Sequence, residues 1–209
     1  MTLELNRIYN MDCEPGMELI GDNSVDLIFT DPPYVADLWE AAYTTLATHA
    51  QRILKPSGYL ITYAGHYHLN LITKILDEKL TFFWIVAQLN GGATALVMNR
   101  LAICAYKPIL IYQKPPMMPC KKGFVDVIKG KRCKEFHPWQ QDIHEALHLI
   151  SRFTEPGDLI VDPFVGSGTT TLAAKLLGDQ YIGFEVNPST YKTALSRMRQ
   201  SPIDLGMWC

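Results

Sequence analysis

Short apolar runs alternate with longer amphipathic stretches along this chain, the pattern of βα units that feed a mainly parallel sheet. Strands are predicted over 7–11, 25–30, 58–63, 81–87, 108–113, 159–162 and 180–184, and helices over 36–54, 68–78, 140–153, 168–177 and 188–199. Two clusters, Lys55-Pro56-Ser57-Gly58 and Glu155-Pro156-Gly157-Asp158, have the composition that stops a helix and turns the chain into the next strand. The apolar stretches 101–106 and 108–113 follow one another closely enough for an antiparallel edge pair, as in many mixed sheets. With no repeat, no linker-like block and 209 residues, the expectation is one α/β domain with a full core.

Composition adds limits. At 48% hydrophobic residues, no run reaches the roughly 18 uninterrupted apolar residues of a membrane helix. Residues Met1 to Arg7 carry neither a basic stretch nor an apolar core of a leader, so a cytoplasmic protein is expected. Five cysteines, Cys13, Cys104, Cys120, Cys133 and Cys209, form no CxxC pair and read as reduced thiols. Cys120, Cys133 and His137 could supply three zinc ligands, but their spacing matches no common finger and no metal is predicted. The net charge of −2 is unevenly placed: residues 107–134 hold Lys107, Lys114, Lys121, Lys122, Lys129, Lys131, Arg132 and Lys134 against Asp126 alone. That segment reads as a phosphate-facing patch, with a solvated lysine-rich loop as the competing reading.

The candidate chemistry begins where the 25–30 run ends. Asp31-Pro32-Pro33-Tyr34 puts a carboxylate, two rigid carbonyls and an aromatic face on one short loop. Consecutive prolines fix φ near −65° and donate no hydrogen bonds, so the loop keeps one shape and presents bare acceptors. Such a loop grips a planar group bearing an exocyclic amine, with Tyr34 as the stacking surface. A plain turn after a strand is the competing reading.

A second loop follows the 159–162 run: Asp162-Pro163-Phe164-Val165-Gly166-Ser167-Gly168-Thr169-Thr170-Thr171 reads as strand end, glycine turn and helix start. Glycines admit a ligand close to the backbone, and Thr169 to Thr171 are expected to cap the helix. No lysine follows Gly168, as a phosphate loop would need, and Thr171 stands where a dinucleotide loop wants its third glycine. A ligand with a ribose and a cation fits better. Asp162 can accept from an ammonium, and Glu185, closing the 180–184 run, can chelate two ribose hydroxyls. S-adenosylmethionine has both groups and no phosphate.

On these two loops the chain resembles the S-adenosylmethionine-dependent DNA amino-methyltransferases, which methylate exocyclic amines of adenine or cytosine. Asp31 to Tyr34 is similar to the catalytic motif, Arg52 to Gly58 to the segment after it, and Asp162 to Thr170 to the cofactor loop. The order, catalytic motif first, is similar to the circularly permuted beta group. The resemblance implies a Rossmann-like fold with a mainly parallel seven-stranded sheet, helices on both faces, and the two motif strands side by side. It implies a catalytic half at about 1–113, a short basic recognition segment at about 114–136 and a cofactor half at about 137–209.

It further implies that Asp31, Pro32, Pro33 and Tyr34 are catalytic. Asp12, Asp31, Asp162, Phe164, Gly166, Ser167, Gly168, Thr169, Glu185 and Asn187 would hold the cofactor, with a cap role competing for Asp12. Lys114, Lys121, Lys122, Lys129, Lys131, Arg132 and Lys134 would meet the DNA. The family's His-Pro-x-x-Lys-Pro segment appears here as His137-Pro138-Trp139-Gln140-Gln141-Asp142, which keeps only its first pair. An acid at the head of the catalytic motif usually marks adenine enzymes, so adenine N6 is expected over cytosine N4. RNA or glutamine-amide methylation and an inactive cofactor-binding subunit are the further alternatives. Recognition resting on so short a segment implies a short or relaxed target, or a specificity shared with a second copy or a restriction partner. His66, Tyr67 and His68 either border the base pocket or are ordinary loop residues.

Overall fold

The computed structural model describes residues 2–34, 38–89, 95–97, 100–129 and 142–200. Its strands are β1 (Arg7–Tyr9), β2 (Val25–Thr30), β3 (Leu54–Tyr63), β4 (Thr81–Leu89), β5 (Ala95–Val97), β6 (Ala102–Cys104), β7 (Tyr106–Gln113), β8 (Val127–Lys129), β9 (Leu159–Asp162) and β10 (Gln180–Phe184). Its helices are α1 (Cys13–Glu18), α2 (Trp39–Ile53), α3 (Leu69–Asp77), α4 (Ile143–Phe153), α5 (Thr169–Leu177) and α6 (Pro188–Arg197), with a 3₁₀ turn at His66–His68.

The main sheet has eight strands in the order β1-β10-β9-β2-β3-β7-β4-β8. Only β7 runs against its neighbours β3 and β4; the other pairings are parallel. The expected seven strands are joined by β8, a three-residue edge strand drawn from the basic segment. Successive side chains on the strands point to opposite faces, and two cores result. Leu27, Phe29, Ile61, Tyr63, Ile109 and Ile111 pack with α4, α5 and α6, while Ile28, Leu60, Leu110 and Tyr112 pack with α1, α2 and α3. Helices therefore cover both faces.

Two local expectations are corrected. The stretches 101–106 and 108–113 do not pair with each other: β6 pairs with β5, and β7 lies inside the main sheet. Ile109 to Tyr112 are at most 1% exposed, which an edge strand with open flanks does not allow. Lys55-Pro56-Ser57-Gly58 is not a turn ahead of the strand but a bulge within β3, where Val25 faces Leu54 and Leu27 faces Tyr59. Proline is tolerated there because a bulge releases its residues from the ladder. Where no element was predicted, Glu14-Pro15-Gly16 sits inside α1, whose N-cap is Asp12. Proline is compatible with a first helical turn, and a Cβ on Gly16 would come within 2.5 Å of the Phe184 ring.

Candidate active site at the centre of the sheet

Strands β2 and β9 are neighbours, but the chain leaves β2 toward β3 and leaves β9 toward β10, on opposite sides. A crevice opens beyond the carboxyl ends of strands at such a reversal, and both candidate loops start there. Thr30, the last residue of β2, donates its hydroxyl to Asp162 Oδ1 at 2.7 Å, and the Phe164 amide donates to the same oxygen at 3.1 Å. Residues far apart in sequence thus share one site, as the order of the two motifs required.

Asp31 sits next to Thr30 with both carboxylate oxygens engaged. Lys107 Nζ donates to Oδ2 at 2.7 Å, and the Tyr34 hydroxyl donates to Oδ1. The Lys107 ammonium also lies 4.8 Å from the ring centroid of Tyr34 and 4.5 Å from that of Tyr63. Pro32 is buried and Pro33 half-buried, whereas Tyr34 remains exposed. Tyr34 lines a cavity of about 230 Å³ with Trp39, Gly65, Tyr67, His68 and Ile72. Trp39 and His68 stack there with ring centroids 4.3 Å apart and an interplanar angle of 11°. Of the three residues read either as a base-pocket border or as ordinary loop, Tyr67 and His68 line this cavity; His66 and Tyr67 line a neighbouring one of about 260 Å³ with Arg100 and Tyr106.

The charge of the site decides what it can hold. Asp162 is 3% exposed, and burial pushes its carboxyl up to about 7 despite the opposing hydrogen bonds from Thr30 and Phe164. Glu145 on α4, 2% exposed, accepts from the Tyr63 hydroxyl through Oε1, its Oε2 has no partner among the described residues, and burial pushes it up to about 7 as well. Asp31 raises both further by its negative charge. A cationic ligand would draw the protons off these acids, whereas a phosphate would be repelled.

Around the second loop, Glu185 Oε2 accepts from the Gly166 amide at 2.9 Å and Oε1 from the Asn187 amide at 2.8 Å. Each oxygen keeps a lone pair for a hydroxyl donor. Gly166 and Gly168 have φ of 53° and 87°, and a Cβ on Gly168 would stand 3.2 Å from the Ala194 Cβ, so glycine is required there. The N-cap of α5 is Gly168 itself, with no side-chain cap, which corrects the expected capping by the three threonines. Thr169 instead accepts from Arg197 at 3.0 Å, and the same Nη1 reaches Ser167 O at 3.0 Å and Ser167 Oγ at 2.9 Å. Arg197 is 1% exposed and braces the loop from behind.

Asp12 and Asn187 lie at the same rim, since β1 pairs with β10 up to Tyr9 and Phe184. Asp12 Oδ1 accepts from Glu14 N at 2.9 Å, and Asn187 Oδ1 accepts from Ser189 N and Thr190 N, so both side chains cap helices α1 and α6. The basic residues are scattered. Lys114 lies at the opposite end of the sheet, donating to Asn23 Oδ1, Leu54 O and Arg52 O at 2.8, 2.8 and 3.3 Å, which makes it a structural tether. Lys122 lies at that far end too, its amide bonded to Arg152 O at the end of α4, with exposed Lys121 beside it in the chain. Lys129 ends β8 opposite Leu89, nearer the crevice. Lys131, Arg132, Lys134, Cys133 and His137 lie outside the described residues. Among the described residues no group of three metal-ligating side chains occurs, and no helix is long and apolar enough to cross a membrane.

Lys107, Glu145 and Arg197 were not among the predicted site residues. Lys107 had a signal, a cation directly before the apolar run 108–113 and so at a strand end; Glu145 and Arg197, single charges on amphipathic helices, had none.

Comparison with known proteins gives a consistent picture. A family model described as DNA methylase matches residues 25–196. YubD of Escherichia coli (strain K12) is 27% identical over 212 residues, covering 93% of this chain and 90% of that protein. The type II methyltransferase M.BamHI of Bacillus amyloliquefaciens is 26% identical over 239 residues, covering 88% of this chain but 55% of that longer protein. Among solved structures, the cytosine-N4-specific PvuII DNA methyltransferase superposes with a TM-score of 0.80 at 18% identity, over 99% of this chain and 92% of that one. The M1.HpyAVI complex with S-adenosylmethionine gives 0.75 at 23% identity, over 93% and 99%.

Proposed function

The chain belongs to the DNA methylase family, and on that premise we propose that it transfers a methyl group from S-adenosylmethionine to the exocyclic N6 amine of adenine in DNA. The observation that carries this reading is the meeting of Asp31 and Asp162 at one crevice, bridged by the bond from Thr30. Asp162, Phe164, the loop from Gly166 to Thr169, and Glu185 would hold the methyl donor, whose bound sulfonium supplies an activated methyl group. The buried acids fit its positive charge, and Glu185 fits its ribose.

An aromatic amine is a poor nucleophile because its lone pair is delocalised into the ring. The Asp31 carboxylate and the Pro32 carbonyl accept its two hydrogens and hold the nitrogen nearer to tetrahedral, with its lone pair aimed along the line of displacement. Tyr34 stacks on the base once it is flipped from the helix, and the aromatic cavity formed with Trp39, Tyr67 and His68 receives it. Orientation and fixed electrostatics, rather than a covalent intermediate, supply the acceleration.

Adenine is favoured over cytosine by the acid at position 31. The likeness to the PvuII enzyme keeps cytosine N4 as the second reading. The segment 114–136, of which residues 127–129 are used as sheet and Lys114 as a tether, is too short for a separate recognition domain. We therefore propose a short or relaxed target, with a second copy or a partner supplying further discrimination. Transfer of labelled methyl to unmethylated duplex DNA, followed by nucleoside mass spectrometry, tests the whole reading: N6-methyl-2′-deoxyadenosine is expected, N4-methyl-2′-deoxycytidine supports the second reading, and an unlabelled digest overturns both.

A further inference from the structure

We propose that Lys107 is a positioning residue of this site, acting on methyl transfer by fixing the Asp31 carboxylate; this rests on the reading of Asp31 as the group that grips the amine. Lys107 precedes Pro108, which holds it in extended backbone, and its pairing with Gln88 places it at the start of β7. Since β7 runs antiparallel to β3, with Ile109 opposite Tyr63, the start of β7 is brought to the carboxyl ends of β2 and β3. A lysine from the antiparallel strand of the main sheet thereby reaches a loop 76 residues earlier in the chain.

The ammonium is confined on several sides. It donates to Asp31 Oδ2 at 2.7 Å, and it lies within cation–π distance of both the Tyr34 and Tyr63 rings. Tyr63 is itself held by its hydroxyl bond to buried Glu145. The Lys107 and Asp31 side chains are only 22% and 23% exposed, so the pair is shielded compared with a surface ion pair. With Tyr34 on the other oxygen, the carboxylate cannot rotate about its Cβ–Cγ bond without breaking a hydrogen bond. The carboxylate is thus held in one orientation for the incoming amine.

A positioning role predicts a particular kinetic signature. Displacing a reactive group by about an ångström costs on the order of 100-fold in rate, and it leaves binding of the methyl donor untouched. K107M should therefore lower kcat about 10- to 100-fold, with KM for S-adenosylmethionine unchanged and 2-aminopurine fluorescence at the target still reporting a flipped base. K107R, which keeps the charge, should recover part of the loss. If K107M does not fold, K107Q removes the charge while keeping a polar head and is read in the same way. A charge-free variant with wild-type kcat overturns the proposal. So does a loss expressed in KM for the donor, or one that K107R does not relieve. If the wild-type chain itself transfers no methyl group to DNA, the underlying reading has failed and the role of Lys107 falls with it.

Discussion

The Thr30 hydroxyl donates to Asp162 Oδ1 at 2.7 Å, joining the last residue of one motif strand to the last residue of the other. The bond ties the loop proposed to grip the amine to the loop proposed to hold the donor. Replacing Thr30 by Val keeps the shape and removes the donor, leaving a buried carboxylate with one partner fewer. The expected cost is about 1–3 kcal/mol of stability, together with weaker binding of S-adenosylmethionine. Denaturant titration and calorimetry of the variant check both.

Asp31→Ala should separate binding from chemistry. In the proposed reading its carboxylate grips the amine while the loop after Asp162 and Glu185 hold most of the donor, so binding of S-adenosylmethionine should be retained. Turnover should fall by about 100- to 1,000-fold or more, because a fixed electrostatic partner of the reacting nitrogen is gone. Single-turnover transfer to duplex DNA is the measurement, and an active Asp31→Ala enzyme would sink the assignment.

Tyr34 has two tasks, an aromatic face toward the cavity and a hydroxyl on Asp31. Tyr34→Ala should weaken binding of DNA with a flipped target by about 1–3 kcal/mol, the usual worth of stacking one base. Tyr34→Phe should retain that affinity and lose rate instead. Equal effects of the two substitutions on DNA affinity would refute the stacking role.

Acidity gives a further test. Buried Asp162 and Glu145 hold protons up to about pH 7, while unfolded aspartate and glutamate release theirs near about pH 4. The folded chain therefore binds more protons than the unfolded one between these values, and its stability should fall as pH rises through that window. A cationic ligand favours the ionised acids, so affinity for S-adenosylmethionine should rise with pH, by up to about tenfold per pH unit for each proton released. Melting curves from about pH 5 to 8 with and without the ligand, and calorimetry in buffers of different ionisation enthalpy, read both effects.

Arg197→Met should show that the donor loop is braced from the core side. The substitution leaves Ser167 O, Ser167 Oγ and Thr169 Oγ1 without their shared donor. A loss of about 2–4 kcal/mol is expected in chemical denaturation, with reduced donor affinity even where the fold survives.

What could be read before folding, and what could not, follows from range. Strands β2, β9 and β10 match their predicted bounds because each is an unbroken apolar run closed by turn residues or an acid. The two loops at Asp31 and Asp162 were legible for the same reason: their chemistry lies in consecutive letters. Strands β5, β6 and β8, three residues each, are too short to carry a period. The bulge at Lys55 to Gly58 has the composition of a turn, and composition does not say whether a ladder resumes on the same neighbour. Lys107 was counted with a basic patch because charge density along a sequence is blind to the reversal of direction in β7. Lys114 failed for the opposite reason, since an exposed-looking lysine turned out to tie together the carbonyls that end α2 and begin β3.

The pairing of β1 with β10 has a consequence for the making of the protein. Among the described residues β1 has no other sheet partner, and the side-chain bond from Asn10 to the Glu185 carbonyl spans 175 residues. During synthesis, β1 leaves the ribosome long before the strand it pairs with has been translated. One edge of the sheet is therefore completed last, by contacts of high sequence separation, which are the slow kind in folding.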